Sequence, residues 1–169
     1  MSENDQELFN LAMSDESRPL MYAVKKHIDE NVAPITEEFF ALNEDKEDRW
    51  TWHPRQMELL DGAKAKAKES GLWNFFLPDD ETGQGLNNLD YAYIAAELGK
   101  YALASESLNC SAPDTGNMEV LERVGTPEQK DKWLTPLLNG EIRSAYAMTE
   151  PGVASSDAKN VATKAVLEN

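Results

Sequence analysis

Arg143-Ser-Ala-Tyr-Ala-Met-Thr-Glu-Pro-Gly-Val-Ala-Ser-Ser-Asp157 divides this chain. Upstream of it, apolar residues recur at helical spacing. From Ile142 to Thr149 the sequence is a small-and-apolar run, which predicts a buried strand. From Glu150 to Asp157 it gathers proline, glycine, two serines and an aspartate, which is turn chemistry. An extended backbone can pair with the donor and acceptor rim of a planar heteroaromatic ring. The small side chains of Ala145 and Ala147 would let that backbone come close, and Thr149 adds a hydroxyl at the end. Backbone N–H groups, with the hydroxyls of Ser155 and Ser156, form the kind of nest that holds a pyrophosphate. Taken alone, the same residues also describe an ordinary surface turn.

The composition is that of a globular domain. Of 169 residues, 41% are hydrophobic and 28% charged; a chain of this size buries roughly two thirds of its unfolded surface. No apolar run approaches membrane-spanning length. The acidic start, Met1-Ser-Glu-Asn-Asp-Gln-Glu7, resembles neither a secretory signal nor a transit peptide, so a cytoplasmic location is expected. The net charge is −15, with 13 of the 31 acids in the first fifty residues. That argues against nucleic acid and anionic membranes as partners, and gives no overall steering toward an anionic ligand. Cys110 is the single cysteine, so no internal disulfide forms, and it reads as a buried thiol rather than a nucleophile. His27 and His53 lack metal-ligand spacing, and neither a P-loop nor a G-x-G-x-x-G occurs.

In chain order, residues 1–15 are expected to be a flexible tail. A helix is predicted over 18–31, with Leu20, Val24 (or Tyr22), His27 and Ile28 on one side, interrupted at Pro34 and followed by a piece over 35–42. The charge run 43–49 reads as solvated. Pro54 opens a helix with Met57, Leu60, Ala63 and Ala67 inward, and Gly71 stops it. On its other face, Lys64, Lys66 and Lys68 read as solvated surface. The aromatics of Leu72–Pro78 are expected to pack under the helices, and 79–85 is a loop. Asn87 or Asn88 caps a helix to Leu98, a further helix covers 101–110, and 112–118 interrupts. Met118, Leu121 and Val124 carry the next helix. Thr126-Pro-Glu-Gln129 is a capping box, opening a helix with Trp133, Leu134, Leu137 and Leu138 as its stripe and a kink at Pro136. Residues 160–168 alternate like a second strand.

Two blocks carry a family resemblance. Ala147-Met-Thr-Glu-Pro-Gly-Val-Ala-Ser-Ser-Asp-Ala158 closely resembles the flavin-binding motif of acyl-CoA dehydrogenases. Gly125-Thr-Pro-Glu-Gln-Lys-Asp-Lys-Trp-Leu-Thr-Pro-Leu-Leu-Asn-Gly-Glu141 is similar to the helix that leads into it. More loosely, the resemblance extends over residues 20–169. It implies a mainly α chain: an all-α N-terminal domain over 16–141, then the first strands of a β-barrel domain over 142–169. The chain would stop inside that domain, as a truncated or fragmentary product.

For chemistry, the resemblance implies FAD as cofactor and an acyl-CoA as substrate. A carboxylate takes the α proton and the β hydrogen leaves as hydride to the flavin. Tyr146, Ala147, Met148, Thr149, Glu150, Pro151, Gly152, Val153, Ala154, Ser155 and Ser156 would wrap the cofactor. Thr149 would donate near N5 or O4, and Ser156 would also touch the substrate side. Electron-transfer flavoprotein is the implied electron acceptor, and the full-length form is expected to be a homo-oligomer. The catalytic base is expected in a C-terminal domain, so no residue here is assigned that role; Glu150 is read as structural. Where many members have Thr-Glu-Pro-Gly-Ala-Gly-Ser-Asp, this chain is one residue longer, which leaves the pyrophosphate serine open between Ser155 and Ser156. That longer form, with Thr115-Gly-Asn-Met-Glu119, resembles a subgroup active on long-chain or 4-hydroxyacyl-CoA. An acyl-CoA oxidase on the same fold, or a non-catalytic helical binding module, are the alternative readings.

Overall fold

A computed structural model describes residues 11–43, 48, 50–79, 82–154 and 157–167. Their regular structure is helical. Helix α1 (Arg18–His27) passes through a π-helical turn, Ile28–Val32, into α2 (Ala33–Ala41) without a break. Pro34 was expected to interrupt this helix, because it has no N–H to donate and its ring crowds the carbonyl four residues back. The π turn absorbs both problems: Ala33 N–H donates to Ile28 O, five residues back, so the ladder is already widened where the proline enters. The last helix repeats the device. Helix α7 (Pro127–Gln129) runs through a π turn, Lys130–Leu134, into α8 (Thr135–Asn139). There Thr135 N–H donates to Lys130 O just before Pro136.

Between these lie α3 (Pro54–Glu69), α4 (Asn88–Leu98), α5 (Ala104–Ser107) and α6 (Asp114–Val124). The starts follow the caps that the sequence carries. Asn87 Oδ1 accepts from Asp90 N at 2.9 Å. Thr126 and Gln129 form the expected reciprocal box. His53 Nδ1 accepts from Arg55 N, and Gln56 Oε1 accepts from His53 N. The helix expected over 101–110 is confined to α5, and α6 begins inside the stretch expected to interrupt.

The expected β elements are not there. Among the described residues no strand forms, either over 142–149 or over 161–167. A strand requires a neighbour to complete its ladder. The 143–145 segment is tied to side chains of α6 instead, and Ala162 and Thr163 donate their N–H groups to a carboxylate. Alternation without a covered face does not make a sheet: Val166 and Leu167 remain exposed. The described residues therefore form an all-α domain followed by a tail that holds a turn and a short 3-10 helix, Ala158–Asn160, and no barrel strand.

The core gathers Val24, Ile28, Val32, Phe39, Leu60, Phe75, Leu77, Ile94, Leu98, Leu108, Met118, Leu134 and Leu137. Two residues assigned inward by spacing, Met57 and Trp133, are exposed instead. Phe75 and Phe76 are buried under the helices as expected. Residues 1–10 lie outside the described residues. Next to them Met13 is buried, and Ser14 donates from both N and Oγ to Asp90. Of the charge run, residues 44–47 and 49 lie outside the described residues, as do 80–81 of the 79–85 loop. Burial pushes the Cys110 thiol well above its ordinary range, which leaves it inert. No described helix is long and apolar enough to cross a membrane.

His27 sits in this core, with Nε2 3.1 Å from Ser107 Oγ. Burial lowers its pKa below 6.5, so the folded chain holds it neutral while the unfolded chain protonates it more readily. Its contribution is intact above pH 6.5 and is lost as the pH falls from there through the folded value. Glu38, Glu106 and Glu150 are lowered from 4.5 and act further down. Denaturant melts should therefore show stability falling between pH 6.5 and 4.5, and His27→Gln should flatten that slope. An unchanged slope would remove His27 as its cause.

Gly140 gives a second test. Its φ is +73°, and a Cβ there would lie 2.7 Å from Trp73 Cζ2. Gly140→Ala should cost about 1–3 kcal/mol, because the left-handed conformation and the ring contact both oppose it. An unshifted thermal midpoint would show that the junction has room to adapt.

Candidate functional site

The site begins where α8 ends. Its terminal carbonyls have no partner within the helix. They are met by side chains from two turns that share an unusual backbone. Among the described residues, Asn74 (φ 61°) and Asn109 (φ 59°) are the two left-handed non-glycine residues, a conformation that asparagine tolerates better than most residues. Asn109 Nδ2 donates to Leu137 O at 3.1 Å and to Asn74 Oδ1 at 2.7 Å. Asn74 Nδ2 and Trp73 Nε1 both donate to Leu138 O, at 2.8 and 2.6 Å. Lys68 Nζ takes Asn139 O at 2.8 Å and lies over the Trp73 ring. Lys68, expected to be plain solvated surface, is thus part of the cap.

Past Gly140 the chain leaves the helices at a fixed place. Asp114, the first residue of α6, is 2% exposed. Its Oδ1 accepts from Ser144 N at 2.7 Å and from Ser144 Oγ at 2.5 Å, and its Oδ2 accepts from Arg143 Nε at 2.6 Å. One turn along, Asn117 Nδ2 donates to Ser144 Oγ at 2.8 Å and reaches Ala145 O at 3.5 Å. The other arm of Arg143 donates to Glu106 Oε1 at 2.5 Å, and Lys64 Nζ stands 2.9 Å from the same oxygen. Burial pushes Glu106 up, but Lys64 and Arg143 outweigh it and hold the carboxyl below its usual range. Two cations and two carboxylates therefore balance where α3, α5 and α6 meet the departing chain. Lys64, too, is not the solvated residue that its position suggested. The functional weight of Asp114, Asn117 and Glu106 was invisible in sequence, since their partners are 27 to 37 residues away.

Beyond Ala145 the backbone is open. Tyr146, Ala147, Met148 and Thr149 are exposed and belong to no helix or strand. Among the described residues, their N–H and C=O groups make no hydrogen bond to the protein. Pro151 and Gly152 turn the chain; Gly152 has nothing within 4 Å of its would-be Cβ. Val153 is half-buried and Ala154 exposed. Ser155 and Ser156 lie outside the described residues. Glu150 closes the loop: its carboxylate accepts from Ala162 N at 2.9 Å, from Thr163 N at 2.8 Å, and from Thr163 Oγ1. The Thr163 hydroxyl and these two amides hold Glu150 below the usual carboxylate range. A carboxylate so occupied is a tether.

The donor set suits a flavin. Unpaired N–H and C=O groups, with small side chains at Ala145 and Ala147, can meet a flat ring with a hydrogen-bonding rim. The open turn at Gly152 leaves space for a phosphate-bearing arm.

The tether can be tested directly. Glu150→Gln should expose the Ala162 and Thr163 amides, with faster hydrogen exchange at both and no change in the thermal midpoint of the helices. Unchanged protection would mean that other contacts hold the loop.

Comparison with known proteins agrees on one family. The model described as "Acyl-CoA dehydrogenase, N-terminal domain" matches residues 14–141. Acyl-CoA dehydrogenase family member 10 of Mus musculus is 47% identical over 154 residues, 88% of this chain and 14% of that protein. Family member 11 of Homo sapiens is 49% identical over 138 residues, 82% of this chain and 17% of that protein. A solved chain from Mycobacterium abscessus, assigned provisionally to the acyl-CoA dehydrogenases, superposes with a TM-score of 0.84 at 47% identity, covering 93% of this chain and 40% of that one. The chain thus spans less than a fifth of these two curated relatives.

Proposed function

The chain belongs to the acyl-CoA dehydrogenase family, and on that footing we propose that it supplies the helical N-terminal part and the cofactor-facing edge of an enzyme that α,β-dehydrogenates an acyl-CoA thioester. One observation carries the reading: the backbone of Tyr146–Thr149, unpaired among the described residues and fixed to a helical scaffold at one end and to a tethered turn at the other. FAD, bound against that edge, supplies the acceptor for the substrate's β hydrogen.

The residues of this chain bind and orient. The backbone of Tyr146 to Thr149 pairs with the rim of the ring, and the Thr149 hydroxyl donates to it. The turn from Glu150 to Ala154 faces the cofactor's phosphates, with Ser155 and Ser156 completing the set and Ser156 nearest the substrate. Glu150 holds the loop rather than a substrate proton. The base that takes the α proton lies outside residues 1–169. Electron-transfer flavoprotein is the proposed acceptor, and a homo-oligomer the proposed assembly. The extra residue in the turn, with Thr115-Gly-Asn-Met-Glu119, supports a preference for long-chain or 4-hydroxyacyl substrates.

The test is anaerobic addition of an acyl-CoA to the full-length, FAD-loaded enzyme. Flavin absorbance should bleach, and residues 1–169 alone with FAD should give no turnover. Thr149→Val deletes a donor while keeping shape; a neutral hydrogen bond nets about 0.5–1.5 kcal/mol, and one to developing charge nets more. The variant should reduce its flavin several-fold more slowly, at a lower potential, with an unchanged melt. Wild-type reduction kinetics and potential would show that Thr149 does not touch the ring. Turnover by residues 1–169 would show that the base lies within them.

A further inference from the structure

We propose that residues 11–17 form a strap that closes on α4 through one latch, the carboxylate of Asp90, and opens as a unit while the helices stay folded, so that a negative charge placed on Ser14 switches it open.

The closed state is built from bonds that converge on one side chain. Asp90 lies in the first turn of α4 and is 3% exposed. Ser14 donates to its Oδ1 from the amide at 2.8 Å and to its Oδ2 from the hydroxyl at 2.7 Å. The Ser17 hydroxyl donates to Oδ2 at 2.9 Å. The Ser14 amide, with the two serine hydroxyls and the Asn87 side chain, outweighs burial and holds the carboxyl below its usual range, so the latch is charged at neutral pH. One turn along the same face, the Tyr93 hydroxyl donates to Leu11 O at 2.5 Å, and Met13 is buried between the two points. The strap also has bonds of its own: Ser17 N donates to Ser14 Oγ at 3.3 Å, and Arg18 Nη2 to Met13 O at 3.4 Å. Those bonds let it leave as one piece.

Both sides of the latch are provided for when it opens. On α4, Asn87 serves Asp90 without help from the strap, accepting from its amide at 2.9 Å and donating to its Oδ2 at 2.8 Å, and water replaces the rest. On α1, Ser17 stands at the cap position, yet its hydroxyl caps nothing there because it serves Asp90. Its backbone, at φ −88° and ψ −12°, is not in the extended form that a capping serine takes. Released from Asp90, the same hydroxyl can turn to the free amides of its own first turn. Ser17 thus has a partner in each state, which offsets part of the cost of opening. Ser14 lies too far ahead of α1 to gain one. Its hydroxyl gives a proton to Asp90 in the closed state; a negatively charged group in its place has none to give and meets a like charge in a buried site.

Amide hydrogen exchange of the full-length enzyme tests this, read at residue 14 and, for reference, at the buried Ile94 in the middle of α4. Each rate is taken relative to the unstructured amide of the same sequence. In the wild type, residue 14 should exchange well before Ile94. Ser14→Ala should speed exchange at residue 14 about tenfold, with Ile94 and the thermal midpoint unchanged. Ser17→Ala should speed it less, because its hydroxyl is lost from both states. Ser14→Asp should speed it most. Asp90→Asn should act like Ser14→Ala; if it fails to fold, the serine variants decide alone. Exchange at residue 14 only in step with Ile94 would mean that the strap opens by global unfolding, and would overturn the proposal. So would wild-type protection in Ser14→Asp, or a larger effect of Ser17→Ala than of Ser14→Ala. None of these readouts involves the flavin, so the outcome is independent of the function proposed above.

Discussion

A backbone carbonyl that ends a helix against protein rather than water must find a donor, and at Leu137 and Leu138 that requirement organises the junction between helices and tail. The two carbonyls draw in Asn109, Asn74 and Trp73, and the asparagines reach them only by adopting left-handed backbone. A buried acceptor left without its donor costs about 1–3 kcal/mol, comparable to the strain of a left-handed residue, so the two offset each other. The result ties the connector after α3, the turn after α5 and the end of α8 to one point. The chain therefore departs toward Arg143 from a place that three elements agree on.

The same requirement explains the two π turns. A proline inside a helix deletes one donor and crowds one carbonyl. Widening the ladder just upstream lets α1 continue into α2 and α7 into α8, keeping Val32 and Leu134 pointed into the core. A break at either proline would cost more than the poorer π geometry, since it would release a whole apolar face.

How far the sequence speaks depends on whether an interaction is local. The helix start at Pro54, the box at Thr126–Gln129, the cap at Asn87 and the buried Val24, His27 and Ile28 could be read because their partners lie within one turn or on one face, whereas the His53–Gln56 box was not read. The prolines misled because a break and a π turn begin from the same residue, and only packing chooses between them. The strand expectations at 142–149 and 160–168 failed for a related reason. Small and alternating residues permit extension, but a ladder needs a second chain segment alongside, and the nearest partners are the side chains of Asp114, Asn117 and Glu150. The candidate edge was suggested by residue type and by the family resemblance together. What holds it was not, because Asp114 reads as one more acid in a chain of 31.

That acidity bears on how an anionic cofactor would be held. With a net charge of −15, the chain offers no attractive field, and the basic residues nearest the junction are already committed. Lys64 serves Glu106, Arg143 serves Asp114 and Glu106, and Lys68 serves Asn139 and Trp73. Releasing any of them toward a phosphate would strand a carboxylate or a carbonyl that it now satisfies. On the proposed reading, the recognition of a pyrophosphate would fall to backbone N–H groups and hydroxyls within residues 150–157, which bind by direction rather than by net charge. Directional donors are useful only where their backbone is fixed. The ties at Ser144 and at Glu150 fix it from both ends, with the unpaired edge between them.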